Sequence, residues 1–492
     1  MGRLAAIALI TVAIVSACTS TEANARNNDA EQYIRSLDRR SEKMKNSILN
    51  SKTDIKITGK AYYVASNGND LNDGLSPQKP IKSIDKVNSL SLQAGDAVLF
   101  ERGGMWRGHI KCQQGVTYSA YGKGDKPRIY GSPCDAAKTG VWLETEVKNV
   151  YVYDGEFSND IGTLVFNHGE ECAFKVMKIR QSDGSTLHIR TKEPFADYRD
   201  LKQDLDFYHD YMGTKRVYIY SEKGNPAKRW ESIELLVKGH IFQATDFVTI
   251  DNLCIKYGGS HGIGCGTNKS LTVTNCEMGW IGGSIQAESM FGRNQPTRFG
   301  NAIEIYGGCD HFLVENCYIY QVYDAAITHQ HQGDTDKTLI MRNVRYANNL
   351  VEDCVYSIEY FLARKDTNQS HFMENILFEN NILRRAGYGW GIQRPDKTTP
   401  AHIKSWTHHT NRATNFVVRN NIFDRSACQL LNIEAGSKEW LPTLQNNVYI
   451  QRKGDEALEC ANTTQDIKFD ENIEKLLTER YNEQNAKILF AK

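Results

Sequence analysis

The sequence predicts an all-β protein in which short strands stack as the coils of a parallel solenoid. One strand pattern occurs three times, at residues 301–305, 325–330 and 355–360: an isoleucine points inward and the side chain after it points outward. An asparagine that lies two residues after an apolar residue recurs seven times between residues 250 and 446. The composition agrees, because 38 glycines and only 10 prolines in 492 residues suit many tight corners.

Length and charge limit the classes of function. With 40% hydrophobic residues, the chain can bury a large core, either as several ordinary domains or as one long repeat array. Lys+Arg and Asp+Glu both number 59, so no net charge attracts nucleic acid or an anionic bilayer. We therefore expect no nucleic-acid partner, and we expect the chain to act as a monomer.

The N-terminus predicts export. Arg3 precedes an apolar run at 4–15 that is too short for a membrane span, so we assign residues 1–17 to a signal peptide. The end of this segment, at Cys18, resembles a bacterial lipobox. The resemblance implies diacylation of Cys18 and a place in the cell envelope, with the outer membrane favoured because Thr19 follows instead of aspartate. Ordinary secretion is the alternative.

The next residues and the cysteines carry no predicted chemistry. Residues 18–60 are polar and charge-rich, which indicates a tether with one helix near residues 29–49. The twelve cysteines less Cys18 leave eleven, with no C-x-x-C pair. Cys276 and Cys317 directly follow two of the repeat asparagines, so we predict that they stack inside the solenoid; a disulfide and a metal site are the alternatives.

A family resemblance begins at residue 61. Residues 61–70 (AYYVASNGND), 72–74 (NDG) and 94–100 (AGDAVLF) are similar to the entry segment of many exported bacterial proteins of the pectate-lyase-like superfamily. In that superfamily a first strand, a turn and a capping helix precede a right-handed parallel β-helix. The resemblance covers residues 61–452 and implies that fold and an action on carbohydrate. We assign residues 61–154 to the N-terminal cap and first coils.

The rest of the chain is organised around the coils. Residues 155–234 break the rhythm and are predicted to form an inserted β-rich module. The main coils occupy residues 235–460, and residues 461–492 read as a short helical cap or a tail over the open end. Stacked asparagines are expected to hydrogen-bond along the solenoid axis at one corner. They are Asn252, Asn275, Asn316, Asn348, Asn380, Asn420 and Asn446.

A second strand in each coil carries the candidate site. Its inward residues are predicted to be Ile263, Ile327, Ile358, Ile392 and Leu431, and their outward neighbours are Gly264, Thr328, Glu359, Gln393 and Asn432. Glu304 joins the outward row through Ile303, although residues 283–286 could fill the same place. Insertions follow this strand at 331–343, 362–374 and 395–414, so we expect a wall beside the row and hence a groove.

Two or three carboxylates in this groove predict sugar chemistry. Glu304 and Glu359 are two coils apart, which separates their backbones by roughly 10 Å. Glycoside hydrolysis needs a proton-donating and a proton-accepting carboxyl group, and this spacing suits the longer separation of inverting enzymes. Asp324, on the middle coil, is a third candidate or a replacement for either glutamate. Outward carboxylates on a solvated ladder are the non-catalytic alternative.

Other side chains near the row are predicted to bind substrate. They combine flat aromatic faces with directional hydrogen-bonding groups, which is typical of sugar recognition. His329 follows Thr328, so alternation turns it inward as a core histidine. The predicted substrate-binding residues are Thr328, Gln330, Tyr360, Trp390, Gln393, Arg394 and His402.

Two other functions remain open. The resemblance also implies a polysaccharide lyase, in which a basic residue removes the C5 proton of a uronic acid; Arg394, His329, His402, Arg364 and Lys365 are candidates, and Asp324 with the glutamates could hold calcium. Otherwise no cofactor or metal is expected. The aligned row contains no lysine, which disfavours the lyase. The third possibility is a non-catalytic glycan-binding surface protein. All three have a glycan partner and a membrane contact only through Cys18.

Overall fold

The structure is a computed structural model that describes residues 29–289, 292–366, 370–394, 399–458 and 467–492. The predicted signal peptide and the predicted lipidation site at Cys18 lie outside the described residues. Among the residues described, none of the helices combines the length and the apolar character that a membrane span requires.

Three sheets run the length of the described chain, and each complete coil gives one strand to each sheet in the order A, B, C. Neighbouring strands pair in parallel, except for the last two of sheet C. Sheet A contains Ala61–Val64, Ala97–Glu101, Thr117–Tyr121, Val248–Asp251, Leu271–Thr274, Cys309–Glu315, Ile340–Ala347, Phe372–Glu379, Ala413–Arg419 and Thr443–Gln445.

The other two sheets have the same number of strands. Sheet B contains Met105–Arg107, Arg128–Tyr130, Cys254–Gly258, Glu277–Ile281, Tyr318–Val322, Leu350–Glu352, Ile382–Ala386, Ile422–Ser426, Val448–Arg452 and Lys487–Ala491. Sheet C contains Ile110–Lys111, Phe242–Gln243, Ile263–Cys265, Ile303–Tyr306, Ala325–His331, Tyr356–Leu362, Ala401–Lys404, Gln429–Asn432, Glu456–Leu458 and Ile467–Lys468. This arrangement confirms the predicted all-β parallel β-helix.

The corner after sheet A explains the asparagine repeat. All seven predicted asparagines have φ between 53° and 58°, a left-handed conformation that asparagine tolerates better than most residues. Among the predicted asparagines, Asn316 Nδ2 donates to Asn275 Oδ1, so axial hydrogen bonding is present in part. The buried amide ladder is formed by the residue after each repeat asparagine in the later coils, namely Asn349, Asn381, Asn421 and Asn447. In that ladder the Asn381 backbone N–H donates to Asn421 Oδ1 at 3.0 Å, and Asn381 Nδ2 donates to the Tyr346 carbonyl at 2.9 Å.

Cys276 and Cys317 occupy the same ladder position in earlier coils. Both are fully buried, and their thiols donate to the carbonyls of Ile250 and Val273. Both are free thiols in the described structure. The prediction that they stack inside the solenoid as small apolar residues is confirmed.

The helix predicted near residues 29–49 is present, but the prediction that it belongs to a tether is wrong. Residues 29–49 form a helix that packs against the outer face of sheet B. Its Ala30, Leu37 and Ile48 are buried on sheet B residues that include Ile382, and Asp38 forms an ion pair with Arg384 at 2.5 Å. Because an apolar stripe of the helix faces the sheet, this segment is part of the folded body.

The entry to the solenoid has one short helix, Ile84–Ser89, whose N-cap Ser83 accepts a hydrogen bond from the Lys86 backbone N–H. At the other end, the helix Ile473–Tyr481 buries Ile473, Leu477 and Tyr481 against the core. The strand Lys487–Ala491 then pairs with Val448–Arg452 as the last strand of sheet B. The C-terminal residues are therefore a cap joined to the sheets, not a tail.

The inserted module is larger than predicted. The strand Val150–Tyr153, predicted as part of the early coils, pairs antiparallel with Trp142–Glu144 on one side and with Val217–Tyr220 on the other. Since Val217–Tyr220 belongs to the module, the two earlier strands belong to it as well. The module leaves the solenoid after Arg128–Tyr130 of sheet B and returns before Phe242–Gln243 of sheet C. Its remaining elements are Ile161–Phe166, Asn167–Gly169, Glu171–Cys172, Phe174–Lys175, Lys178–Arg180, Thr186–His188, Tyr198–Asp200, Asp206–His209, Pro226–Arg229 and Ile233–Val237.

Later coils have insertions at the same corner between sheets B and C. One is a hairpin of Ser284–Ala287 and Thr297–Phe299, which removes residues 283–286 from sheet C and leaves that place to Ile303. Another contains the 3-10 helix Trp390–Gln393. The opposite corner, after sheet C, carries shorter insertions, and the 3-10 helix Lys438–Trp440 lies in one of them.

The buried ladder predicts a large effect of one side-chain amide on stability. Replacing Asn381 by alanine leaves partners of its amide unsatisfied inside the corner, so we expect a loss of about 3 kcal/mol of unfolding free energy. Thermal unfolding followed by circular dichroism measures it as a lower Tm. The control is Asn46→Ala on the exposed face of the N-terminal helix, where we expect less than about 0.5 kcal/mol. Equal Tm values for the two variants would contradict the prediction.

Candidate active site

The outward row of sheet C is in the predicted register. Glu304 pairs with Thr328, and Thr328 pairs with Glu359, on three successive strands. The equivalence of these three positions is therefore confirmed. With neighbouring strands about 4.8 Å apart, the backbones of the two glutamates are roughly 10 Å apart.

The row continues differently from the prediction. Ile392 lies in a 3-10 helix of the corner insertion, and the strand of that coil is Ala401–Lys404, whose Ile403 pairs with Ile358. The residue next to Glu359 is thus Lys404, not Gln393. The predicted outward row without a lysine is wrong, because the corner insertion between Ile382–Ala386 and Ala401–Lys404 is longer than the predicted coil spacing.

A second outward row lies two residues further along the same strands. Tyr306 pairs with Gln330, and Gln330 pairs with Phe361. Two aromatic rings thus stand on either side of an amide, parallel to the row of the glutamates. Tyr306 and Phe361 are not among the predicted site residues, although the two-residue strand period counted from Glu304 and Glu359 places them in this outward row.

Both rows open into one cavity of about 620 Å³, within the size range of small-molecule sites. Glu304, Asp324 and Glu359 all line it. One wall, from the corner between sheets B and C, contributes Gln286, Ala287, Phe299 and Arg394; the other, from the corner after sheet C, contributes Gln332, Arg364, Trp406, His408 and His409. The predicted groove is therefore present, with walls on both sides rather than one.

Glu304 is surrounded by hydrogen-bond donors. Asn301 Nδ2 and Gln330 Nε2 both donate to Oε2, the latter at 2.8 Å. His261 Nε2 is 3.4 Å from Oε1. Because the Asn301 backbone N–H donates to His261 Nδ1, the ring proton is on Nε2 and points at the carboxyl group. Burial raises the pKa of Glu304 to about 7, and the hydrogen bonds from Asn301 and Gln330 and the electrostatic effect of His240 oppose the increase.

Glu359 has a different environment. The indole Nε1–H of Trp406 donates to Oε1 at 2.8 Å. Burial, together with the negative charge of nearby Asp324, raises the pKa of Glu359 to about 8, against smaller opposing effects of Trp406 and Arg394. These effects favour the protonated form of its carboxyl group at neutral pH.

Asp324 and Arg394 form the third charged feature of the cavity. Asp324 ends the corner before the strand Ala325–His331, and its carboxylate accepts a hydrogen bond from the Arg394 guanidinium. Both side chains are buried. The guanidinium also lies over the ring of Phe299, 5.1 Å from its centre. Asp324 is thus held as an anion within the electrostatic reach of Glu359.

Four of the seven predicted substrate-binding residues are elsewhere. Tyr360 alternates inward from Glu359 and packs on Phe378 and Phe416 in the core. Trp390 packs against Trp280 and Tyr323, outside the cavity. Gln393 donates to the Ala173 carbonyl of the module, and His402 is buried between Ser357 and the Arg425 carbonyl.

The remaining predicted residues lie in or beside the site. Gln330 and Arg394 line the cavity. Thr328 is fully buried between the two glutamates of its row and donates to Gln330 Oε1 at 3.2 Å, so it orients the amide. His329 lies in the core with Nδ1 2.8 Å from the Tyr346 hydroxyl, which confirms the inward orientation.

Calcium was expected only for the lyase alternative. Among the described residues, no group of three or more His, Cys, Asp or Glu side chains is placed to hold a metal ion. The cavity carboxyl groups instead have the partners described above: amide and imidazole groups at Glu304, an indole at Glu359, and a guanidinium at Asp324.

Comparison with known proteins gives distant matches. No family model matches the chain. A lacto-N-biosidase from Bifidobacterium longum subsp. longum is 41% identical over 80 residues, which are 14% of this chain and only 5% of that enzyme. A structure of XylC with xylose is 12% identical, with a TM-score of 0.42 over 87% of this chain and 86% of that one.

A lacto-N-biosidase of family GH136 from Eubacterium ramulus is also 12% identical, with a TM-score of 0.37 over 88% of this chain and 68% of that one. The strand pairing itself defines the fold. Its three sheets of coaxially stacked, parallel strands make this chain a parallel β-helix protein.

Proposed function

We propose that this protein is a glycoside hydrolase that cleaves an oligosaccharide or polysaccharide in the sheet C cavity. The observation that carries the proposal is the pair of buried carboxyl groups on one row, Glu304 and Glu359, which have contrasting hydrogen-bond partners. Hydrolysis of a glycosidic bond needs one carboxyl group that gives a proton and one that takes a proton. The name of the enzyme matched over 80 residues, a lacto-N-biosidase, agrees with such a substrate.

Glu359 is the proposed general acid. Its raised pKa keeps a proton on the carboxyl group at neutral pH. The Trp406 indole binds Oε1 and fixes the orientation of the carboxyl group, so the proton on Oε2 can be delivered to a leaving oxygen in the cavity. The fixed negative charge of Asp324 maintains the protonated form.

Glu304 is the proposed general base. Two amide donors and the Nε2–H of His261 converge on its carboxyl oxygens, and such donors stabilise the ionised form. A pKa of about 7 is well matched to accepting a proton from water near neutral pH. The backbone spacing of roughly 10 Å leaves room for that water, so we propose inversion at the anomeric carbon.

The second outward row is the proposed sugar platform. Tyr306 and Phe361 offer ring faces to the apolar face of a sugar, and Gln330 and Gln332 offer amides to its hydroxyl groups. Because this row is parallel to the glutamate row, a sugar stacked on it would lie beside the carboxyl groups.

A polysaccharide lyase is the second candidate, and Lys404 is the observation that favours it. Its ammonium group is one strand from Glu359, donates to Asn432 Oδ1 at 2.6 Å and lies 4.2 Å from the Trp406 ring centre. A lysine at this place could act as a base toward a uronate. Its burial behind Trp406, away from the cavity lining, favours the hydrolase.

For the whole protein, we propose a lipid-anchored enzyme of the cell envelope. The lipobox-like residues that end at Cys18 support this location.

The two chemistries give different products. We expect the chain from Thr19 onward, incubated with a panel of plant, algal and host glycans, to release reducing ends without the ultraviolet absorbance of unsaturated uronates. Proton NMR of the first product should show the inverted anomer, because a water attacks from the face opposite the leaving group. If the ultraviolet absorbance rises together with the reducing ends, the reaction is an elimination and not a hydrolysis. A product with retained anomeric configuration would contradict the proposed inverting mechanism.

Substitution separates the two carboxyl roles. We expect Glu359→Gln to lower kcat on natural glycans by about 10³-fold, since a general acid contributes 10²–10⁴-fold. On an aryl glycoside of the same sugar, whose phenolate leaves without protonation, Glu359→Gln should recover most of its rate, whereas Glu304→Gln should be inactive on both substrates. Glu374→Gln, on a sheet A strand outside the cavity, is the control with unchanged rates. Full activity of Glu359→Gln on natural glycans would remove this residue from the mechanism.

The pKa values predict a narrow pH optimum. The rate should rise as Glu304 ionises near pH 7 and fall as Glu359 loses its proton near pH 8, which gives a bell-shaped profile of kcat/KM. Trp406→Phe removes a donor that favours the ionised form of Glu359, so its alkaline limb should move to higher pH. A profile with its acidic limb near pH 4.5, the ordinary glutamate range, would contradict the assignment of Glu304.

A further inference from the structure

The inserted module contacts the hairpin that forms one wall of the cavity. The Asp160 carboxylate accepts the backbone N–H of Ile285 at 2.6 Å, and Lys238 Nζ donates to the Ile285 carbonyl at 2.9 Å. The Ile285 side chain is buried in a small apolar cluster with Met177, Ile179 and Ile189 of the module. The backbone and the side chain of this hairpin residue are thus both held from the module.

The charge that holds Ile285 is itself fixed inside the module. Lys175 Nζ is 2.5 Å from both carboxylate oxygens of Asp160, and it also donates to the Ile161 carbonyl. Both charged side chains are buried. A buried ion pair with further hydrogen bonds holds the Asp160 carboxylate in one defined position. Because the Ile285 N–H donates to this carboxylate, the position of the Ile285 backbone is fixed as well.

The second hairpin strand is attached in the same way. Arg298 is fully buried; its Nη2 donates to the Gly162 carbonyl of the module at 2.9 Å, and its Nε donates to the Gly283 carbonyl at 2.6 Å. Near the edge of the module, the Tyr211 hydroxyl donates to Glu288 of the hairpin.

The residues next to these attachment points line the cavity. Gln286 follows Ile285, and Phe299 follows Arg298; both line the cavity on the side opposite to the module, as strand alternation requires. Phe299 lies under the Arg394 guanidinium, which holds Asp324. A continuous set of contacts therefore connects the module to the carboxylate that neighbours Glu359.

We propose that the inserted module is a brace for the substrate-facing wall, and that it positions Gln286 and Phe299 to receive the glycan. This role rests on the proposed function of the cavity. Asp160, Lys238 and Tyr211 are positioning residues: they act through the hairpin and do not contact the reacting bond. Loosening the brace should weaken glycan binding more than it slows the chemical step, because the carboxyl row belongs to sheet C and keeps its own register.

The test uses the full chain from Thr19 and two sets of substitutions. Asp160→Asn removes the carboxylate that holds Ile285, but it also leaves the buried Lys175 without its counter-charge. The milder double substitution Lys238→Met with Tyr211→Phe removes two hydrogen bonds to the hairpin and leaves the ion pair of Asp160 with Lys175 in place. The matched control is Arg229→Met, which breaks the ion pair with Asp204 inside the module and touches no hairpin residue.

We expect the double substitution to raise KM by about fivefold, which corresponds to roughly 1 kcal/mol of binding free energy in total, with kcat within about twofold of the wild type. Hydrogen exchange at the Ile285 amide should become faster in both variants and stay unchanged in the control. An unchanged exchange rate in both variants would overturn the brace. Faster exchange with an unchanged KM would show that the wall does not face the substrate, which also overturns the proposal. If the wild type cleaves no glycan, the proposed function fails, and the exchange rates alone decide whether the module braces the hairpin.

Discussion

The register of sheet C is the constraint on which the site depends. Ile303, Ile327, Ile358 and Ile403 stack in successive coils and are fully buried, each contributing about 2 kcal/mol of apolar burial. A slip of one residue would turn this whole stack outward, so the register is strongly fixed. The outward side chains inherit their spacing from it. The distance between the two glutamate backbones is therefore a property of the core, not of the loops around the cavity.

Burial acts on the two glutamates in the same direction, and their neighbours make them different. Loss of water raises the pKa of both carboxyl groups. Glu304 then has converging neutral donors, whereas Glu359 has one indole donor and the charge of Asp324. The walls that exclude water come from insertions at the corners on either side of sheet C. The coils thus set the positions of the carboxyl groups, and the corner insertions set their protonation.

Local signals made part of this predictable. Two-residue alternation identified the outward places of Glu304 and Glu359 because an inward isoleucine precedes each of them. The same alternation predicts that Tyr360, the residue after Glu359, points into the core. The place of Lys404 in the outward row could not be predicted, since Ile392 in the long corner insertion fits the strand pattern although it lies outside the strand. The ion pair of Arg394 with Asp324 joins residues 70 apart, and no sequence period predicts such a contact. The predicted start of the inserted module is wrong for a similar reason. Val150–Tyr153 alternates like a coil strand, and its partner strand, Val217–Tyr220, lies far along the chain.

The N-terminal helix has a mechanical consequence. Its apolar stripe lies across six strands of sheet B, from Tyr318 in the middle of the solenoid to Leu489 in the last strand. Glu31 also reaches Lys492, the last residue of the chain. A force applied at the start of this helix would be shared by several coils at once, in shear along the helix, instead of peeling one terminal coil from the stack. Such a load would enter the fold through sheet B and not directly through the sheet C strands that line the cavity.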